Sequence, residues 1–228
     1  KTINVTVDGD IITVENSGPL GGIEVLMHPT EGVWNPELTF GHLLTSTNYN
    51  DQEDRVVGGR NGYGAKLANI YSTRFEITIK DGKNKQEYNQ VWENNMKTCN
   101  PPKIKKYNRA GSSVSISFIP DWKRFGMKKL DSDMMAIIEK RVYDAAFCTN
   151  GCKVSFQNKP LPAISCADYM AMYTEAQAYT VNSDRWSVSV ACNPDGFQQV
   201  SFVNGVCTTH GGTHVDHIVN TITQGVIA

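Results

Sequence analysis

Ten consecutive residues constrain this chain more than any other stretch. Gly58-Gly59-Arg60-Asn61-Gly62-Tyr63-Gly64-Ala65-Lys66-Leu67 holds four glycines, an arginine and a lysine. An amphipathic helical run follows at once, in which helical periodicity places Leu67, Ile70 and Tyr71 on one face and turns Asn69 away. Glycines at a helix start let backbone N–H groups approach an anion closely. The helix N-terminus adds partial positive charge, and Lys66 adds a full one. Residues of these types in this order build a cradle for phosphates. The bland alternative is a glycine-rich turn that merely begins a helix.

Spacing excludes the two commonest phosphate loops. A P-loop needs Gly, four residues, then Gly-Lys-Ser/Thr. Gly59 and Gly64 have that separation, but Ala65 intervenes before Lys66, and Leu67 replaces the magnesium-holding hydroxyl. The dinucleotide fingerprint Gly-x-Gly-x-x-Gly follows a strand. Here Leu67 stands in place of the third glycine, and the preceding Asn50-Asp51-Gln52-Glu53-Asp54-Arg55 is polar loop.

The rest of the chain reads as a globular protein of mixed class. At 228 residues, 40% hydrophobic and 20% charged, it has material for a sizeable core. A net charge of −1 gives no general nucleic-acid signal. The six cysteines are too scattered for a disulfide scaffold, and Cys148 and Cys152 lack a second pair for zinc, so they read as reduced thiols. No apolar run approaches the length of a membrane span, and the chain shows no secretory signal. Its start at Lys1, inside a strand pattern, is expected of a fragment.

Alternation predicts a hairpin from Thr2–Val7 and Ile11–Val14 around Asp8-Gly9, then a glycine-rich loop from Asn16 to Gly22. Asn35-Pro36-Glu37 is expected to open a helix through Leu44, with asparagine as cap and proline at the first helical position. Residues 45–62 read as a long polar loop, of the kind that usually carries function. Strands are expected near 73–80, 85–93 and 113–119. Helices are expected from Asp131 to about Phe147, with Met134, Ile138, Val142 and Ala145 on one face, and from Ser165 to about Thr174. Trp186–Val190 and Phe197–Phe202 read as a second hairpin, and Thr213 to Thr223 as a closing helix. Hairpin-linked strands mixed with helices favour an α/β (α+β) sandwich with a largely antiparallel mixed sheet over a doubly wound parallel one.

Two blocks of residues carry a resemblance. Thr45-Ser46-Thr47-Asn48-Tyr49-Asn50-Asp51 leading to the glycine-rich run, and Gly196-Phe197-Gln198-Gln199-Val200-Ser201-Phe202-Val203-Asn204 followed by Gly211-Gly212-Thr213-His214-Val215-Asp216, resemble the ATPase region of eukaryotic-type DNA topoisomerase II, a type IIA enzyme. Residues 11–228 follow the family's order. The resemblance implies a GHKL ATP-binding domain over 1–180, lacking its N-terminal part, and the start of a transducer domain over 181–228. It implies ATP and Mg2+ as cofactors, DNA as partner of the full-length enzyme, a homodimer and no membrane. A nuclear location goes with a cellular eukaryotic member and the host cytoplasm with a viral one. Two other readings stay open: another GHKL ATPase of mismatch-repair or chaperone type, and a non-catalytic nucleotide-gated dimerisation module.

The resemblance also assigns residues. Asn16, in Val14-Glu15-Asn16-Ser17-Gly18, matches the residue of a loop that reads adenine, since a carboxamide donates and accepts at once. Ser17 replaces a usual asparagine, and Pro19-Leu20-Gly21-Gly22 is longer than the family's Gly-x-Gly turn. Ser46, Thr47 and Asn48 match ribose and phosphate contacts; by themselves they read as helix termination after Leu44. Gly59, Arg60, Asn61, Gly62, Tyr63, Gly64, Ala65 and Lys66 form the phosphate loop. Backbone N–H groups from Asn61 to Lys66 would wrap the β- and γ-phosphates, and Tyr63 would pack beneath them. The family's general-base glutamate and magnesium-holding asparagine would precede Lys1, and its γ-phosphate lysine would follow Ala228. No catalytic residue is therefore expected in this chain. His210, His214 and His217 complete no zinc signature. The basic residues Lys103, Lys105, Lys106 and Arg109 read as a solvated face, with a weak surface for transported DNA as the rival.

Overall fold

A computed structural model describes residues 1–18, 22–46, 48, 50, 58–149 and 151–227. The chain divides into two compact units: one of Lys1–Glu53, Gly59–Ala146 and Gly151–Pro162, the other of Asp54–Gly58, Phe147–Asn150 and Ala163–Ala228.

The first unit is built on a nine-stranded sheet. Its strands are β1 (Thr2–Asp8), β2 (Ile11–Gly18), β3 (Ser72–Asp81), β4 (Gln86–Glu93), β5 (Thr98–Cys99), β6 (Lys103–Lys106), β7 (Ser112–Pro120), β8 (Lys153–Phe156) and β9 (Lys159–Pro160). Their order is β5-β4-β3-β7-β2-β1-β8-β9, with β6 also on β4. Only β1 and β8 run parallel. Hairpins give β1·β2, β3·β4 and β8·β9, β7 inserts between β2 and β3 from far along the chain, and the long helix after β7 carries the chain to β8, which lies parallel to β1. The mixed, largely antiparallel sandwich read from the sequence is the observed architecture.

Helices α1 (Asn35–Gly41), α2 (Tyr63–Ile70) and α3 (Ser132–Cys148) belong to this unit, the last by all but Phe147 and Cys148. Alternation aims Phe75, Ile77 and Ile79 of β3 and Tyr88 and Trp92 of β4 inward, where they form a core with Val25, Phe40 and Val114. Ala65 and Ala68 of α2 pack on the same core. Val142 and Ile138 of α3 pack with Val5, Val14 and Val154, as its periodicity predicted.

Three local expectations are corrected. Helix α1 ends at Gly41 rather than Leu44, its N-cap is Trp34, and Asn35 and Pro36 lie inside the first turn. Strand β2 continues through Gly18, so Asn16 is a strand residue and not part of a loop. Helix α2 turns the other way: Asn69 is fully buried, while Leu67 and Tyr71 are exposed. Apolar character alone misassigned that face, because alanines seal this helix to the core and its polar residues point into the protein.

The second unit holds α4 (Cys166–Ala171), β10 (Ala178–Asn182), β11 (Ser187–Ala191), β12 (Phe202–Val203), β13 (Val206–Cys207) and α5 (Thr213–Ile227). Ser165 caps α4 as predicted: its hydroxyl accepts from the Asp168 N–H, and the Asp168 carboxylate accepts from the Ser165 N–H. Tyr169 of α4 stacks on Phe147 at 4.6 Å between ring centroids, with Phe202 edge-on. The expected pairing of 186–190 with 197–202 is not formed. β11 pairs with β10, Val188 opposite Val181, and Phe202 pairs with Cys207. Both strands of each hairpin lie close in sequence, so the short closures at residues 183–186 and 204–205 win over the longer one.

Candidate functional site

In the first unit, α1 and the start of α2 border a cleft of about 840 Å3. One face of α1, with Asn35, Leu38 and Thr39, lines it, and the turn after the helix adds His42, Leu43, Leu44, Thr45 and Ser46. The opposite face of α1 buries Phe40 against Phe75, and Glu37 accepts from the Gln90 side-chain amide at 3.1 Å. The helix is thus fixed on its core side and bare on the cleft side. Gly62, Gly64, Ala65 and Lys66 close the cleft from α2.

Thr45 holds the turn together. Its hydroxyl donates to the carbonyls of Leu38 and His42 at 3.0 and 3.1 Å, which occupies acceptors left open where α1 ends. Thr45, and not Ser46 or Asn48, is therefore the terminating residue. Ser46 accepts from the Asn48 N–H at 3.1 Å, and the Asn48 carboxamide donates to the Gly59 carbonyl at 2.8 Å. That side chain ties residue 48 to the start of the glycine-rich run. Thr47 lies outside the described residues.

Gly62 is the N-cap of α2 in the left-handed region, φ 68° and ψ 23°. A Cβ there would lie 2.9 Å from the Thr45 carbonyl oxygen and 3.2 Å from Lys66 Nζ, so both backbone and space demand glycine. The next N–H groups, those of Tyr63, Gly64 and Ala65, lie in the first turn, where no helical carbonyl precedes them. Glycine at 64 keeps the way to them open, since a Cβ on Gly64 would meet nothing within 4 Å. The Tyr63 side chain is exposed, which overturns the reading that it packs beneath the loop.

Lys66 lies on the first turn of α2 and is 2% exposed. Its Nζ donates to the Thr45 carbonyl at 3.4 Å, a long contact, and burial pushes its pKa down. A buried ammonium is costly unless an anion reaches it. The cost has a geometric cause: Asn69, one turn on, is tied to the Phe40 carbonyl at 3.2 Å and locks α2 against α1. The cleft therefore offers a cation, orphan N–H donors and a positive helix end at one place, which is what an oligophosphate requires.

The comparisons with known proteins fit that chemistry. The protein-family description DNA gyrase B matches residues 154–228. The DNA topoisomerase 2 of Candida glabrata is 41% identical over 99% of this chain. The chain belongs to the DNA topoisomerase 2 family. The Arabidopsis thaliana topoisomerase 2 is 43% identical over 98% of it. The chain spans only 18% and 16% of those two relatives. Among solved structures, the ATPase region of Saccharomyces cerevisiae topoisomerase II superposes with a TM-score of 0.95 at 41% identity, over 99% of this chain and 61% of that one. The ATPase and transducer domains of the Balamuthia mandrillaris topoisomerase II give 0.94 at 37% identity, over 100% and 59%.

Against the topoisomerase II pattern, Ser46, Gly62, Gly64, Ala65 and Lys66 meet at the cleft, and Asn48 and Gly59 brace it. Asn61 directly precedes the cap, and Arg60 and Gly59 lead into it. Asn16 is not among the residues that line the cleft. It stands in the cross-strand row Asn16, Val114, Ile79, Tyr88, whose other members point to the helix-covered face. Asn16 is exposed on that face, so no helix among the described residues covers it.

Magnesium fits the described residues poorly. Among the described residues, Glu31 is the one carboxylate lining the cleft, and no cluster of three His, Cys, Asp or Glu could hold a metal. Of the three histidines in the second unit, His214 shares its Nε2 with the hydroxyls of Thr208 and Ser201 at 3.1 and 3.2 Å, and the His217 ring lies 6.1 Å from Trp186. The sequence reading missed Thr45 and the α1 face. Polar Asn35 and Thr39 one turn apart on a helix with apolar Phe40 opposite, and His42 just beyond it, were the available signal.

Proposed function

We propose that this chain is the ATP-binding part of a type IIA DNA topoisomerase, with a GHKL nucleotide domain followed by the start of a transducer domain. The observation that carries the reading is the buried Lys66 held beside the N-terminus of α2, with no ion pair to a carboxylate among the described residues. In this reading Lys66 and the N–H groups after Gly62 bind the β- and γ-phosphates, Ser46 and Asn48 orient the sugar side, and Asn16 approaches the base from the exposed row of the sheet. Arg60 and Asn61 complete the loop over the phosphates. Bound ATP would bring magnesium with it, held largely by its own phosphates. Binding would close a dimer gate in the whole enzyme, and hydrolysis would reset it while one DNA duplex passes through another. A nuclear location follows for a cellular eukaryotic enzyme. In this reading the nucleotide domain gives way to the transducer segment near residue 180, whereas the compact units part earlier, at Pro162.

Titration with a fluorescent non-hydrolysable ATP analogue tests the reading. Saturable binding that unlabelled ATP displaces, and that Lys66→Ala weakens about tenfold to a hundredfold, is expected from the loss of a charge-assisted contact of about 1.5–3 kcal/mol. Equal binding by a correctly folded Lys66→Ala protein would overturn it.

A further inference from the structure

Away from the cleft, one edge of the first unit concentrates positive charge. From Lys80 to Ala110 the chain has eight Lys or Arg against three Asp or Glu, although its overall net charge is −1. The segment folds into the hairpin of β3 and β4 and ends with β6, which pairs with β4 from Asn89↔Lys103 to Gln86↔Lys106. All four residues of β6 are exposed. Strand geometry sends Lys103 and Lys105 to one side and Lys106 to the other, so cations flank the strand on both faces. Lys105 is 3.0 Å from Glu87, whereas Lys103, Lys106 and Arg109 have no carboxylate within ion-pair distance among the described residues. The Lys85 ammonium reaches the Arg109 carbonyl at 3.4 Å, which gathers two more cations at the end of the strand.

Lysines on an edge strand also prevent edge-to-edge pairing. Here the cations continue past the strand to Arg109 and across to Lys85, a length that suits a polyanion rather than a guard. We propose that this edge, Lys103, Lys105 and Lys106 with Lys85 and Arg109, is a docking surface for the phosphate backbone of duplex DNA. The inference deepens the proposed function and rests on it for the choice of DNA as the polyanion. Contacts of this kind are non-specific in sequence and release counterions, so they are weak and strongly salt-dependent.

The test is fluorescence anisotropy of a fluorescein-labelled 20-bp duplex with the full 228-residue chain, between 50 and 200 mM salt. The variant Lys103→Gln/Lys106→Gln/Arg109→Gln should bind about tenfold or more weakly at 50 mM salt, with a log–log salt slope smaller by about 2–3. Lys103→Arg/Lys106→Arg should bind like the wild type. Circular dichroism and unchanged ATP-analogue binding establish that the charge-removed variant is folded and its nucleotide site intact. A folded triple variant with unchanged DNA affinity and slope overturns the proposal, as does self-association of that variant without loss of DNA binding, the mark of an edge guard. A wild-type chain that does not bind the duplex at 50 mM salt overturns it too. Loss of ATP-analogue binding by the wild type would instead count against the nucleotide reading and leave the duplex result standing.

Discussion

The side-chain amide of Asn48 donates to the carbonyl oxygen of Gly59 at 2.8 Å, so residues eleven apart in sequence are held as the two ends of one loop. That contact ties the segment after α1 to the start of the glycine-rich run, while Asn69 and Phe40 hold α2 against α1 on the core side. Replacing Asn48 by Ala should remove about 0.5–1.5 kcal/mol of local order. The expected outcome is little change in melting temperature and a loss of about threefold to tenfold in ATP-analogue affinity, measured by titration. Parallel loss of both would show Asn48 to be a general structural residue.

Gly62 and Gly64 should respond in opposite ways. Gly62→Ala puts a methyl 2.9 Å from the Thr45 oxygen at a left-handed φ, so it should cost about 1–3 kcal/mol. Gly64→Ala meets no atom within 4 Å and should be neutral or stabilising by up to about 1 kcal/mol. Denaturant midpoints of the two variants check this ordering. In ATP-analogue binding both should be impaired, Gly62→Ala through the distorted cap and Gly64→Ala through obstruction of the N–H groups.

Lys66 sets stability against binding. Its pKa is lowered from the ordinary 10.5 by burial, so the folded protein carries the penalty of the charged amine at all pH values below the lowered pKa. Between that value and 10.5 the unfolded chain binds more protons, and stability rises with pH. Lys66→Met, which keeps the length and removes the charge, should therefore be more stable than the wild type at neutral pH, with the difference shrinking as pH approaches 10.5. The same variant should lose ATP-analogue affinity. Thermal melts across pH with and without the analogue check both signs; a variant less stable than the wild type at pH 7 would show that the Thr45 contact outweighs the desolvation.

Hydrolysis is a separate matter from binding. Thr45 and Gly62, the described residues placed at Lys66 Nζ, cannot serve as a general base at neutral pH, and His28, Glu31 and His42 are the titratable groups elsewhere in the described cleft lining. Positioned proton transfer contributes about 10²–10⁴ to rate. The chain of 228 residues should bind the nucleotide and release no phosphate above the uncatalysed background, in a coupled phosphate assay. Turnover that Lys66→Ala abolishes would require a base within this chain.

The sequence made the sheet legible where alternation was clean, as in Phe75-x-Ile77-x-Ile79, and made α3 legible through Met134, Ile138 and Val142. It also carried the family, through long ordered blocks of small and polar residues whose spacing few folds require. What it concealed was polarity used inward. Asn69 looked like a surface residue because nothing in a helical pattern tells that its amide meets the Phe40 carbonyl. Asn16 looked like a loop residue because Glu-Asn-Ser-Gly is loop-like in composition, yet its strand lies between β1 and β7 and is fixed by ladder bonds on both sides. The pairing of β11 with β10 follows the shorter loop closure, whose lower entropy cost is absent from hydrophobic pattern.

The charge gathered between Lys80 and Ala110 makes the molecule an electric dipole, since the remainder of the chain must be negative for the total to reach −1. Net charge and isoelectric point then describe its encounters badly. At pH 7 a cation exchanger should hold this nearly neutral protein by the β6 edge and an anion exchanger by the rest, so that it turns a different side to each resin.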